Sequence, residues 1–185
     1  MQQAMSFYLK AVSGRIQSAS TRQQKRENRG KDTGLDPTGE KSLNLYVATI
    51  WPAWQDQCIE VVKDMANGTS LNIKEVAKHF RGAEKKRAMP FIQELHRKLA
   101  AGRPKEEIFN RAMLFDEVAV LRQMIPVLKT TVTNLRDVKI FVVTHGPEDT
   151  KISVNATTGA VHEIPPTVEE PEPGVPALEF VDCQS

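Results

Sequence analysis

The feature that most constrains this chain is an apolar stripe at its start. Met1, Met5, Tyr8, Val12, Ile16 and Ala19 recur at spacings of three and four. That spacing lines one face of a helix over residues 1–27. Gln, Ser, Lys and Arg fill the other face. A helix with such a stripe must bury it against another element. No capping residue precedes Met1, so the stripe reads as the last helix of a bundle whose other members are missing.

Beyond residue 27 the chain is built in shorter pieces. Residues 28–41 (NRGKDTGLDPTGEK) hold Gly30, Gly34, Pro37 and Gly39 and form a linker or surface loop. Leu43 to Val47 alternates apolar and polar, which suits a short strand. A helix opens at Trp51-Pro52-Ala53-Trp54, because proline is favoured in a first turn. Its buried face is Trp54, Cys58, Val61, Val62 and Met65, and Asn67-Gly68 ends it. Asn72 caps a shorter helix with Glu75 in the capping-box position, and Ile73, Val76, Ala77 and Phe80 face inward. Ala88, Ile92, Leu95 and Leu99 line a further helix that tolerates Pro90 near its start and stops at Gly102.

Beyond residue 27, the longest regular element starts at Leu114-Phe115-Asp116-Glu117. Asp116 is its N-cap, and Phe115 with Val120 is a candidate hydrophobic staple. Val118, Leu121, Ile125, Leu128, Val132 and Leu135 make the stripe, with a kink at Pro126. Under three heptads, the stripe reads as a packing face rather than a coiled coil. VKIFVV (138–143) is a buried-type strand; residues 152–154 and 160–164 are short strands joined by a Thr158-Gly159 turn. Residues 165–177 carry Pro165, Pro166, Pro171, Pro173 and Pro176 among acids and read as extended or disordered, and 178–181 as a last edge strand. The expected fold class is α+β, mainly helical and then β-rich. The expected divisions are 1–41, a bundle helix plus linker; 42–136, a helical domain; and 137–185, a small β segment with an acidic tail.

Charge separates along the same direction. Residues 1–140 hold 24 Lys+Arg and 15 Asp+Glu; residues 141–185 hold 1 Lys and 8 acids. A basic body suggests a polyanion partner, against the plainer reading of a solvated helical surface. No apolar run reaches the roughly 18 residues of a membrane helix, and the N-terminus lacks a signal-peptide core. The default location is the cytosol.

No reactive constellation emerges. Glycines are isolated turn residues, and no nucleophile elbow is present. The two cysteines, Cys58 and Cys183, cannot make a zinc site, and His79, His96, His145 and His162 are scattered. Cys58 is a small core residue. Asp116-Glu117 is better read as helix capping than as an acid/base pair, since adjacent helical residues point apart. No catalytic and no metal-ligating residue is assigned. The one functional signal is cationic: Arg81, Lys85, Lys86 and Arg87, then Arg97, Lys98, Arg103 and Lys105. Several cations on one surface bind phosphates through counterion release. No aromatic residue interleaves the cluster of Arg81 to Arg87, so folded RNA read by shape and phosphate fits better than stacked single strands.

Several ordered segments resemble the C-terminal region of cytosolic leucyl-tRNA synthetases of the eukaryotic/archaeal type, the fungal members above all. They are Leu45-Tyr46-Val47-Ala48 with Trp51-Pro52-Ala53-Trp54-Gln55; Lys86-Arg87-Ala88-Met89-Pro90-Phe91; Ile108-Phe109-Asn110-Arg111 with Leu114-Phe115-Asp116-Glu117; and Pro173-Gly174-Val175-Pro176. Gln23-Gln24-Lys25-Arg26 fits the end of that family's anticodon-binding bundle. The resemblance implies a region that helps hold tRNA-Leu. It implies that the aminoacylation centre, with its HIGH and KMSKS signatures and its ATP and Mg, and the editing domain belong to other parts of the family's chain. Neither signature occurs here, so the chain should be inactive alone and reads as a fragment: a partial sequence, a truncated gene model or a degenerate copy. The alternative function is a protein-interaction module, using the stripes at 1–19 and 118–135 and the acidic tail to meet upstream synthetase domains or other proteins. A non-functional relic is a third reading.

Overall fold

A computed structural model describes residues 1–66 and 71–183. The elements run α1 (Gln2–Asn28), β1 (Lys41–Ala48), α2 (Ala53–Met65), α3 (Ile73–Ala77), α4 (Gly82–Ala100), α5 (Lys105–Asn110), α6 (Glu117–Thr131), β2 (Leu135–His145), β3 (Lys151–Asn155), β4 (Val161–Glu163) and β5 (Ala177–Asp182). The α+β class holds, with helices dominating the first part and a five-stranded sheet ordered β4-β3-β2-β1-β5. The contacts group the chain otherwise than the divisions expected at 41/42 and 136/137. Residues 1–50 and 113–185 form one unit, and residues 51–112 form the other.

The first unit is built on the sheet. β1, expected as a short strand, lies inside it, parallel to β2 and antiparallel to β5. Alternation gives each face its own cover. Leu43, Leu45 and Val47 join Tyr8, Val12 and Ile16 of α1 and Leu121 and Leu128 of α6 in one core. Tyr46 and Ala48 point the other way, where Tyr46 stacks on Phe141 at 5.2 Å and Ile164 and Val168 close over them. The middle of the α1 stripe, Tyr8, Val12 and Ile16, is therefore buried inside the unit against α6 and β1, while Met5 and Ala19 are half-buried and Met1 is exposed. Each such apolar side chain contributes about 1.5–3 kcal/mol when fully buried.

Other expectations shift in detail. Asp116 caps α6 by accepting the Ala119 amide at 3.1 Å. The helix ends at Thr131, so the stripe is shorter than the spacing implied, and Leu135 begins β2. Val120 and Met124 are buried with Leu121 and Leu128, so the inner face is rotated from the one drawn through Val118 and Ile125. β2 and β3 run longer than expected, and Gly159 takes φ +72° in the turn to β4, a conformation glycine adopts without strain. Residues 165–177 form no long regular element, yet they are packed. Pro171, Pro173 and Pro176 are buried, and Glu170 pairs with Lys151. Nearby apolar surface supplies what the acid-rich composition concealed. The last strand is an edge strand, as expected.

Glu117 joins three parts of this unit. Its carboxylate accepts the Tyr8 hydroxyl of α1 at 2.5 Å and the Gly174 amide of the proline-rich segment at 3.1 Å. Burial pushes the Glu117 carboxyl above its ordinary range, against the pull of those two donors. Burial, and then the same carboxylate, push the Tyr8 phenol far up. Folding thus favours the protonated acid, and stability falls as pH rises from the ordinary glutamate range through the raised value. Glu117→Gln should flatten that fall in pH-dependent urea melts. Glu117→Ala should cost about 2–3 kcal/mol, because it leaves the buried Tyr8 hydroxyl without its acceptor.

Candidate nucleic-acid interface

The second unit comprises α2 to α5 around a core of Cys58, Ile59, Val62, Leu71, Val76, Phe80, Ala88, Ile92, Leu95, Leu99 and Ile108. α2 begins just after Pro52; the Asn67-Gly68 stop expected for it lies outside the described residues. In α3, Asn72 accepts the Glu75 amide at 3.3 Å. Glu75 completes only half of the capping box, since its carboxylate pairs with Lys78 at 2.7 Å. α4 starts at Gly82, earlier than expected, so Lys85, Lys86 and Arg87 lie within its first turns and Pro90 in its interior. Proline there withholds the amide that the Lys86 carbonyl would otherwise receive. Gly102, at φ +74°, turns the chain out of the helix end. α5 had no clear signal in the sequence.

The eight cations all fall in this unit, but their settings differ. Arg81 sits at the N-cap of α4, and Lys85 and Lys86 stand exposed on it. Among the described residues these three make no ion pair. Arg87 lies over the Trp54 ring, its guanidinium carbon 4.8 Å from the centroid. Arg97 grips Glu94 with two hydrogen bonds of 2.8 and 2.6 Å. This pairing holds the Glu94 carboxyl below its usual range and raises Arg97. Lys98 reaches the same carboxylate at 3.9 Å, and Arg103 reaches Glu107 at 3.8 Å. Lys105 opens α5 and is exposed. Helical geometry aligns Lys86 with Arg97 and Arg87 with Lys98, each pair eleven residues, or roughly 16 Å, apart. The result is an exposed ridge, positive at its start and partly neutralised towards its end.

Arg111 is the residue that sequence reasoning left without a role. Its backbone is left-handed at φ 30°. Its guanidinium donates to the Gln55 amide oxygen at 2.7 Å, pairs with Asp56, and stacks 4.1 Å from the Trp51 ring centroid. Trp54 meets Phe91 edge-on at 5.4 Å. Three of the segments that carry the family resemblance therefore converge on one patch: Trp51, Trp54, Arg87, Phe91 and Arg111. No local periodicity could show this, because Arg111 meets partners some 55 residues away. A cleft of about 200 Å³ beside it is lined by Trp54, Cys58, His79 and Arg87. Burial pushes the Cys58 thiol up, although Arg87 and Arg111 pull it down. A protonated, buried thiol is a poor nucleophile. Among the described residues no group of three His, Cys, Asp or Glu side chains is placed to hold a metal ion.

Comparison with known proteins bears out the family resemblance. The chain is 34% identical over 181 residues to the cytoplasmic leucine–tRNA ligase of Neurospora crassa, which covers 95% of this chain and 16% of that protein. It is 31% identical over 159 residues to the cytoplasmic enzyme of Saccharomyces cerevisiae, covering 84% of this chain and 14% of the relative. A putative cytoplasmic leucine–tRNA ligase of Schizosaccharomyces pombe is 28% identical over 184 residues. The chain is related to the C-terminal region of cytoplasmic leucine–tRNA ligases. It spans about one sixth of the length of these leucine–tRNA ligases. No protein-family model matches it, and no solved structure does. No helix among the described residues is long and apolar enough to cross a membrane.

The convergence on Arg111 is testable. Arg111→Ala should destabilise this unit by about 2–4 kcal/mol through loss of a charge-assisted hydrogen bond and a cation–π contact. Trp51 and Trp54 are the only tryptophans, so tryptophan fluorescence during denaturant unfolding reads this unit directly.

Proposed function

We propose that this chain is a tRNA-binding and positioning segment of the leucine–tRNA ligase type, which holds tRNA-Leu through its phosphate backbone. Activation of leucine, with the ATP and Mg that it uses, and editing belong to other parts of the family's chain. The observation that carries the reading is the exposed cationic ridge of α4, with Arg81, Lys85 and Lys86 unpaired among the described residues. Its unit carries twelve Lys+Arg against eight Asp+Glu. The names of the relatives agree with a role in leucyl-tRNA aminoacylation and with a cytoplasmic setting. Arg97, Lys98 and Arg103 must exchange carboxylate partners for phosphates, so they are expected to add less than Lys85 and Lys86.

The protein-interaction alternative loses its main support. It needs the stripes at 1–19 and 118–135 to be free for partner helices, but Tyr8, Val12, Ile16, Leu121 and Leu128 are buried in their own unit. The acidic tail is engaged as well: Glu170 with Lys151, Asp182 with Lys41 at 3.7 Å, and Glu179 with the Tyr46 hydroxyl at 3.2 Å.

Filter binding of a tRNA-Leu transcript at two salt concentrations tests the reading. Dissociation constants in the micromolar range or weaker are expected, with a steep salt slope. Reversing Lys85 and Lys86 to Glu should abolish measurable binding without changing tryptophan fluorescence. Salt-insensitive binding, or none, refutes the proposal.

A further inference from the structure

We propose a second phosphate-binding surface, in the sheet-based unit: a groove along α1 built by Arg15, Arg22 and Arg26 that takes the backbone of an RNA strand. This inference rests on the reading of the chain as an RNA binder. It assigns that role to residues outside the α4 ridge.

Charge along α1 is of one sign as far as Arg26; the helix's single acid, Glu27, follows near its end and accepts the Gln23 side-chain amide at 3.0 Å. Through its first 26 residues the chain holds Lys10, Arg15, Arg22, Lys25 and Arg26 and no acid at all. At 100° per residue, Arg15, Arg22 and Arg26 fall within a narrow sector beside the buried face of Tyr8, Val12 and Ile16. From Arg15 to Arg26 the sector is roughly 16 Å long, at 1.5 Å per residue. It borders a groove of about 890 Å³, whose floor holds small residues including Gly14 and Ser18 and whose far side holds Thr167, Glu169 and Leu178. Small residues leave the floor open to a bulky backbone.

The cations are held ready. Arg15 donates to the Pro176 carbonyl at 2.7 Å, which fixes its guanidinium at the groove wall. Arg22 donates through Nε to the Ser18 carbonyl at 3.4 Å. Among the described residues, Lys10, Arg15, Arg22, Lys25 and Arg26 form no ion pair. This distinguishes them from Arg97, Lys98 and Arg103 on the other unit, each of which has a carboxylate within 4 Å. Only Glu169 among the lining residues is acidic. A phosphate entering this groove displaces counterions rather than breaking a protein ion pair, and among the lining residues only Glu169 opposes it. Guanidinium groups also suit phosphate through paired N–H donors.

The experiment uses the full chain and a tRNA-Leu transcript, with poly-L-glutamate as a second polyanion. Arg22→Gln/Arg26→Gln should weaken tRNA binding about tenfold at low salt and make the log–log salt slope shallower by roughly 2. Arg22→Lys/Arg26→Lys should retain most of the affinity, and far-UV circular dichroism should show α1 intact in both variants. Unchanged affinity and slope in the Gln variant, while Lys85→Gln/Lys86→Gln loses binding, overturns the groove and leaves the proposed function standing. Retained tRNA binding with lost poly-glutamate binding also overturns it, and assigns the surface to an acidic protein segment. If the unaltered chain binds no tRNA, the proposed function itself falls, and the groove with it.

Discussion

Two neighbouring parallel strands cannot be closed by a tight turn; the chain must leave the sheet and come back at the same end. That constraint organises this molecule. β1 and β2 pair in parallel through Lys41–Ala48 and Leu135–Val143, and everything from residue 49 to residue 134 is the connection. α6 supplies the ordinary part of such a crossover, packing its Leu121 and Leu128 on the inner face of the sheet. The helices of residues 51–112 are an insertion within it, with a hydrophobic core of their own. α1 then completes the inner layer.

This also accounts for how much of the fold was legible in the sequence. Local signals worked where the physics is local. The Asp116 and Asn72 caps, the Gly102 stop, the apolar face of α4 and the strand at β1 each arise within a few residues, and each is present. What alternation in Leu43 to Val47 could not say is which strands lie beside it. Its partners begin more than ninety residues further on, and nothing in a five-residue pattern encodes them. The same gap produced the division at 136/137, which cut α6 away from the strand it delivers. It also produced the reading of α1 as unpartnered, because the surface that covers it is assembled from β1 and α6.

The candidate surface was legible in kind but not in rank. Composition identified the cations of residues 81–105, and their helical placement follows from sequence spacing. Which of them are already engaged does not, since Glu94 competes for both Arg97 and Lys98 and Trp54 holds Arg87. Glu117 illustrates the opposite failure. Reading it as part of a helix N-terminus was correct as far as α6 goes, yet its side chain serves Tyr8 and Gly174, which no local rule connects. A carboxylate of this kind trades desolvation against specificity: three segments must arrive together for its hydrogen bonds to be satisfied.

The stacking of Arg111 on Trp51 has a consequence for lineage rather than for binding. It brings the last turn of the insertion back to its first residues, so the two ends of residues 51–112 are fastened to each other by the insertion's own side chains. A module whose entrance and exit coincide can be gained, lost or replaced in evolution while the strand register of its host remains as it was. The host needs only a short gap between β1 and α6, and the module brings its own clasp.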